Sequence, residues 1–258
     1  MTKLSKPQLR AHQAAMARLD QDDLTFHDRW RIYEDLHEGA LGDVTAASAY
    51  FTPMGFAADF GIDACGMKVV DLCAGIGSLA FAYYHTKHPY GPKPDITCVE
   101  INPAYVEIGR KLFPEATWIC ADVFDIWPDL GRFDCAISNP PFGRMSGKGR
   151  ASPRYQGADF EYKIIDIASH IANFGTFIIP QGSSPFRYSG QRCYDRNEPR
   201  KFQSFQSQTG IDLEAGCGID TTVFQDDWKC VSPLVEVVTA EFPQIAVVKQ
   251  LSLFEAAA

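Results

Sequence analysis

From Ala49 onward, short apolar runs alternate with stretches of helical periodicity, and that alternation confines the chain to an α/β architecture. Five runs read as strands: Lys68 to Leu72, Ile96 to Glu100, Thr117 to Cys120, Phe133 to Ser138 and Gly175 to Pro180. Helical patterns intervene around Ser78 to His85, Pro103 to Phe113 and Asp159 to Asn173. A parallel sheet covered on both faces follows from that order. The closing segments near Asp220 to Phe224 and Val235 to Phe242 read as a β pair. Residues 1 to 48 read as a separate helical extension, with one helix from Lys6 to Leu19 and another after Asp23. In the second, Phe26, Trp30, Tyr33 and His37 recur at helical spacing and Gly39 is the stop signal. That stripe is read as a docking face for the core.

A chain of 258 residues suits one substantial α/β core with room for a small addition. No apolar core follows Lys3, Lys6 and Arg10, and no run approaches bilayer length, so a cytoplasmic protein is expected. The eight cysteines form no CxxC pair and no His/Cys cluster at zinc spacing, so buried reduced thiols are expected and no metal. A net charge of -8 argues against a protein that coats nucleic acid. Two segments depart from that average. Gly143 to Gly157 carries Arg144, Lys148, Arg150 and Arg154 and no acid, and Phe186 to Lys201 carries five basic residues, Arg187 and Arg192 among them, against Asp195 and Glu198. Both follow strand ends, where parallel sheets bind ligands. Those six residues are therefore candidates for phosphate contact, with solvated surface charge as the alternative.

Val69 to Leu72 runs into Cys73-Ala74-Gly75-Ile76-Gly77, a glycine turn through which the backbone can bend sharply and approach a ligand. Gly75, Gly77 and Ala80 also fit the dinucleotide fingerprint, so a nicotinamide enzyme stays open. Glu100 closes the next strand, placed for two hydrogen bonds to ribose hydroxyls, and Asp122 closes the third. Asn139-Pro140-Pro141-Phe142 then ends the fourth. The prolines fix φ and supply no N–H, which frees the carbonyls of Asn139 and Pro140 to point outward. An exocyclic amine is a poor nucleophile because its lone pair is delocalised. Two acceptors, the Asn139 side-chain oxygen and the Pro140 carbonyl, would draw it toward a reactive geometry, with Phe142 offering a ring face. A proline turn closing a strand is the plainer alternative.

This tetrapeptide resembles the catalytic motif of the S-adenosylmethionine-dependent amino-methyltransferases, which modify adenine N6, cytosine N4 or a glutamine amide. The resemblance implies a Rossmann-like class I methyltransferase over residues 49–242: a mainly parallel seven-stranded sheet with helices on both faces, preceded by the extension 1–48. It implies Asn139, Pro140, Pro141 and Phe142 as catalytic residues and S-adenosyl-L-methionine as cofactor. Asp71 falls where the class carries an acid near the methionine end, and Asp122 where it reads the adenine amino group. Cys73, Ala74, Gly75, Gly77, Ile101 and Val123 complete the implied cofactor site with Glu100 and Asn139. Upstream, Tyr50-Phe51-Thr52-Pro53 is similar to the FTP element of one subgroup of DNA adenine-N6 methyltransferases, where it helps hold the methionine part. Local chemistry alone reads Thr52 as a helix N-cap with Pro53 at the first position.

An adenine in duplex DNA must leave the stack before it can react, with Phe142 stacking on it and the basic loops holding flanking phosphates. Transfer is then an in-line displacement aided by positioning, with no dedicated base or metal. Only residues 143–158 and 182–218 remain for target recognition, so a short or loose recognition sequence is expected. RNA or protein-glutamine methylation, a nicotinamide oxidoreductase, and a noncatalytic clamp-binding protein are the alternatives.

In the tail 243–258, Gln250-Leu251-Ser252-Leu253-Phe254 is similar to the peptide by which bacterial replication and repair proteins bind the sliding clamp. The resemblance implies that Gln250 caps one end of an extended segment while Leu253 and Phe254 enter an apolar pocket. A terminal apolar segment folded back on the domain is the alternative. Tethering would raise the local concentration of DNA around an acidic enzyme, and it favours DNA over RNA or glutamine as acceptor. A peptide of this tail is expected to bind purified bacterial clamp in a polarisation assay, and replacing Leu253 and Phe254 by alanine should abolish binding; equal binding by the double variant would exclude the clamp.

Overall fold

Strand pairing in the computed structural model, which describes residues 4–41, 50–87, 90–143, 150–229 and 231–243, yields a six-stranded sheet in the order β3-β2-β1-β4-β5-β8. The strands are β1 (Lys68–Leu72), β2 (Asp95–Glu100), β3 (Thr117–Cys120), β4 (Phe133–Ser138), β5 (Ala172–Pro180) and β8 (Val235–Glu241). All neighbours are parallel except β5 and β8. The order reverses between β1 and β4, which opens a crevice at their carboxyl ends. A short hairpin of β6 (Phe186–Arg187) and β7 (Asp195–Arg196) stands outside this sheet.

Successive strand residues divide between two cores. Val69, Cys98, Ile137 and Ile178 face α1 (Lys6–Leu19), α2 (Phe26–Asp35), α3 (Met54–Asp63), α4 (Ser78–Ala82) and α5 (Pro103–Leu112). Val70, Val99, Ala136 and Phe177 face α7 (Phe160–Ile171) and α8 (Arg200–Thr209), with the short α6 (Val123–Ile126) at the edge. The expected parallel sheet covered on both faces is therefore present. Its strand count is six rather than seven. Asp220 caps a 3-10 helix, Thr221–Asp227, where a strand was expected, accepting from the Thr222 amide at 3.0 Å. The edge beyond β8 is met instead by a single antiparallel bridge, Glu214 to Thr239.

The N-terminal helices begin at capping boxes, Ser5 with Gln8 and Thr25 with Asp28. The aromatic stripe of α2 does dock: Phe26 stacks on Phe81 at 5.7 Å, and the buried Tyr33 donates from its hydroxyl to the Ile76 carbonyl at 3.2 Å. Lys229 donates to the carbonyls of Tyr33 and Leu36, which ties the closing segment to the same hairpin. Cys98 and Cys135 are buried thiols, whereas Cys120, at the end of edge strand β3, is exposed. Among the described residues no helix is long and apolar enough to cross a membrane. Arg144, Lys148 and the 250–254 peptide lie outside the described residues.

At Gly109, α5 lies against the ring of Trp118 from β3. A Cβ there would fall 2.2 Å from the ring of Trp118, whose indole N–H is committed to the Phe113 carbonyl at 3.0 Å. Gly109→Ala should therefore destabilise the fold by about 1–3 kcal/mol through overpacking, although alanine in an open helix would gain roughly 1 kcal/mol. Urea unfolding checks the sign, and an unchanged or raised midpoint would show that Trp118 yields freely.

Candidate cofactor and methyl-acceptor site

A cavity of about 390 Å³ opens at the carboxyl ends of β1, β2 and β4. The glycine turn after β1 forms its floor. Ala74 donates its N–H to the Val99 carbonyl (2.9 Å) and Gly75 donates to Glu100 Oε2 (2.8 Å), so the turn is fastened to the end of β2. Glu100 Oε1 accepts from the Asn102 amide at 2.8 Å, and burial raises its carboxyl above the ordinary range. Gly75 has a φ of +58° and Gly77 of +92°, values that favour glycine. The two differ in what surrounds them. Gly77 is pressed against Trp118, 2.9 Å from where a Cβ would sit, and does not line the cavity; Gly75 does.

Tyr50, Phe51, Thr52, Asp71, Cys73 and Ala74 also border this space, as do Ile101, Asp122, Val123, Asn139 and Pro141. Pro53 borders a neighbouring hollow with Tyr33 and Lys229 instead. Among the lining residues that escaped sequence reasoning are Asn102, Tyr105 and Phe160. Asn102-Pro103 carried a usable signal, since Asn102 caps α5 by accepting from the Ala104 amide. Nothing local marked Phe160.

At the crossover, Asn139 donates from Nδ2 to Thr52 Oγ1 (2.9 Å) and to the Tyr50 carbonyl (3.3 Å). A backbone carbonyl can only accept, so this contact fixes which way the amide points. The opposite atom, Oδ1, is buried and has no hydrogen-bond partner among the described residues. Thr52 is not the N-cap that local chemistry suggested. Helix α3 starts at Met54 with Pro53 in the N-cap position and no side-chain cap, and the Thr52 hydroxyl oxygen accepts from Asn139 instead. Pro140 is buried, and Phe142 is half-buried against the core on the α1–α5 face.

The basic loops behave differently from their composition. Arg150 donates from Nε and Nη2 to Asp122 Oδ2 at 3.0 and 2.9 Å and borders the cavity, its guanidinium 5.9 Å from the ring centres of Phe124 and Phe160. Arg154 is spent on the fully buried Asp166 (2.9 Å), the Thr209 carbonyl and the Ser169 hydroxyl. Neither is a spare phosphate ligand as expected: a segment with no acid of its own draws its counter-charges from distant parts of the chain. Arg196 is likewise held by Glu198, Asp212 and Glu214. Arg187 and Arg192 are exposed and make no ion pair with the described residues.

No family model matches the sequence, and no curated protein matches it. Solved structures do. A candidate RNA methyltransferase from Pyrococcus horikoshii is 15% identical with a TM-score of 0.52, covering 89% of this chain and 97% of its own. The modification subunit of a candidate type I restriction enzyme from Vibrio vulnificus is 13% identical with a TM-score of 0.57, over 84% of this chain and 49% of that one. A candidate class I S-adenosylmethionine-dependent methyltransferase from Listeria monocytogenes is 11% identical with a TM-score of 0.52, over 93% and 70%. The fold is the class I S-adenosylmethionine-dependent methyltransferase fold. The chain spans about half the length of the restriction-system subunit.

Asp71 tests whether a cationic ligand suits this fold's cavity. It is 1% exposed, and neither carboxylate oxygen has a hydrogen-bond partner among the described residues. Burial, and after it the nearby Glu100, push its carboxyl well above the usual range against a weaker pull from the Ala80 backbone. The folded state thus holds a proton that the unfolded chain releases near pH 4, so this residue's contribution falls as pH rises toward its folded value. Buried histidines such as His85, held at about 4, act with the opposite sign below neutrality. The comparison with Asp71→Asn cancels them. Without cofactor, the melting-temperature gain of Asp71→Asn over wild type should be larger at pH 7.5 than at pH 5; a gain independent of pH would show that Asp71 is not strained by its charge.

Proposed function

We propose that this chain transfers a methyl group from S-adenosyl-L-methionine to the N6 amino group of adenine in DNA, with a short or relaxed recognition sequence. The observation that carries the reading is the buried Oδ1 of Asn139, unpartnered among the described residues, at the crossover between β1 and β4. A buried acceptor without a donor costs about 1–3 kcal/mol, and an amine acceptor would relieve it.

The cavity residues fit the cofactor. Asp71, an orphaned carboxylate, suits the cationic amino-acid end, and the Gly75 turn lets backbone come close there. Glu100 would take the ribose hydroxyls while still holding the turn, and Asp122, with Arg150 beside it, would face the adenine amino group. Bound there, S-adenosylmethionine supplies an electrophilic methyl on a sulfonium. The chain's own part is to hold the acceptor. Asn139 Oδ1 accepts from one N–H of the planar amine, the Pro140 carbonyl takes the other, and Phe142 offers its half-buried ring to the base. Both acceptors draw the lone pair out of conjugation as attack proceeds.

DNA is favoured by the FTP-like element and by the clamp-binding-like tail. The hairpin with Arg187 and Arg192 supports it as well. It follows the carboxyl end of β5, and Glu236 at the start of β8 accepts from the Tyr188 and Ser189 amides, which holds the hairpin on the sheet edge that carries Asn139. Phosphates of a flipped-base duplex would meet those arginines.

Incubation with labelled S-adenosylmethionine and a mixture of DNA, RNA and glutamine peptides, followed by nucleoside and peptide mass analysis, should give N6-methyladenine from DNA. Label in RNA or glutamine alone would overturn the acceptor. Asn139→Ala is expected to lower kcat by about 100-fold or more, as loss of a transition-state hydrogen bond does; a wild-type rate would overturn the mechanism. Mapping methylated positions on a long DNA checks the recognition sequence, and strict modification of one six-base-pair site would exclude the relaxed reading.

A further inference from the structure

The segment after Asn139 is fastened from beneath by a carboxylate that has no exposure. Glu161, the second residue of α7, accepts from the Gly143 amide on Oε2 (3.0 Å) and from the Ser183 hydroxyl on Oε1 (2.5 Å). Gly143 returns its own carbonyl to the Phe160 amide at 3.0 Å, so it is held on both sides to the start of α7. Its φ of +82° is one that a glycine adopts without strain. Lys201 completes the group, 3.8 Å from Glu161 and 3.9 Å from Asp159, and it donates to the Ser183 hydroxyl. A carboxylate removed from water needs such partners.

Three segments meet on this one side chain: Gly143, directly after Asn139-Pro140-Pro141-Phe142, the Gln181–Ser183 turn after β5, and the start of α8. Glu161 does not border the cavity. Its leverage is geometric. Ser138 is fixed by pairing with Phe177 and by its hydroxyl on the Leu72 carbonyl, and Gly143 is fixed by Glu161. Only four residues lie between, and two of them are prolines with φ locked. Holding both ends of so stiff a segment sets where the Pro140 carbonyl and the Phe142 ring lie.

We propose that Glu161 is a positioning residue for the methyl-acceptor clamp, with Lys201 as its counter-ion, so that the clamp's placement depends on the 181–201 segment. The inference rests on the proposed function for what the clamp holds. The test compares Glu161→Ala and Glu161→Gln with wild type in three measurements: methyl-transfer kcat, S-adenosylhomocysteine affinity by calorimetry, and exchange of the Gly143 amide by NMR.

Glu161→Ala should lower kcat roughly 10- to 100-fold, the size expected of a small misplacement, and speed Gly143 exchange while leaving S-adenosylhomocysteine affinity unchanged. Glu161→Gln keeps one acceptor oxygen and should fall between. A folded Glu161→Ala protein with wild-type kcat and Gly143 exchange overturns the inference, as does loss of kcat and affinity together, which would indicate general damage. Should Glu161→Ala not fold, Ser183→Ala and Lys201→Met carry the same comparison at the margin of the group. A wild-type protein that methylates nothing would refute the proposed function, and Gly143 exchange would then decide the positioning role alone.

Discussion

The Asn139 amide nitrogen, shared between Thr52 Oγ1 and the Tyr50 carbonyl, is the contact on which the site's arrangement turns. It joins residues 87 and 89 positions apart in sequence. Because the nitrogen is spent, the oxygen alone can face a ligand. The same contact occupies the Thr52 hydroxyl oxygen, one residue before the N-cap of α3, and that helix begins with no side-chain cap. Local stability at a helix end has been exchanged for orientation at a strand end.

A second constraint is repeated across the carboxyl edge of the sheet. Acids on regular elements hold the loops: Glu100 the glycine turn, Glu161 Gly143, Asp166 the amides of Arg154 and Tyr155, and Glu236 the turn at Tyr188 and Ser189. Hydrogen bonds to a charged acceptor contribute about 1.5–3 kcal/mol each, enough in number to offset the cost of removing a carboxylate from water. Such loops have little apolar surface of their own to bury. Their order is borrowed from the helices and strands beneath them.

How much of this was legible follows from distance along the chain. The first five strands were readable as apolar runs, though β5 begins at Ala172 because that residue already pairs with Phe133. Asp71, Gly75, Glu100 and Asp122 were readable as residues at the cavity because each sits at a strand end inside a short motif. Asp220 was misread as strand although Asp followed by two threonines is a capping signal, and its carboxylate takes the Thr222 amide and hydroxyl. Arg150 and Arg154 were misread for a different reason. Their partners lie 28 and 12 residues away, and no local window of charge shows which cations the fold will consume.

The Tyr33 hydroxyl on the Ile76 carbonyl gives the N-terminal hairpin a place in the site's architecture. Ile76 lies between the two glycines that shape the turn, so a helix outside the alternating core sets the height of the cavity floor. The minimal α/β unit drawn from the strand pattern is thus smaller than the unit that shapes the cavity. Evolution of the extension and of the turn cannot proceed independently: a change in how α2 seats on Phe81 is felt, through one phenol, at the glycines.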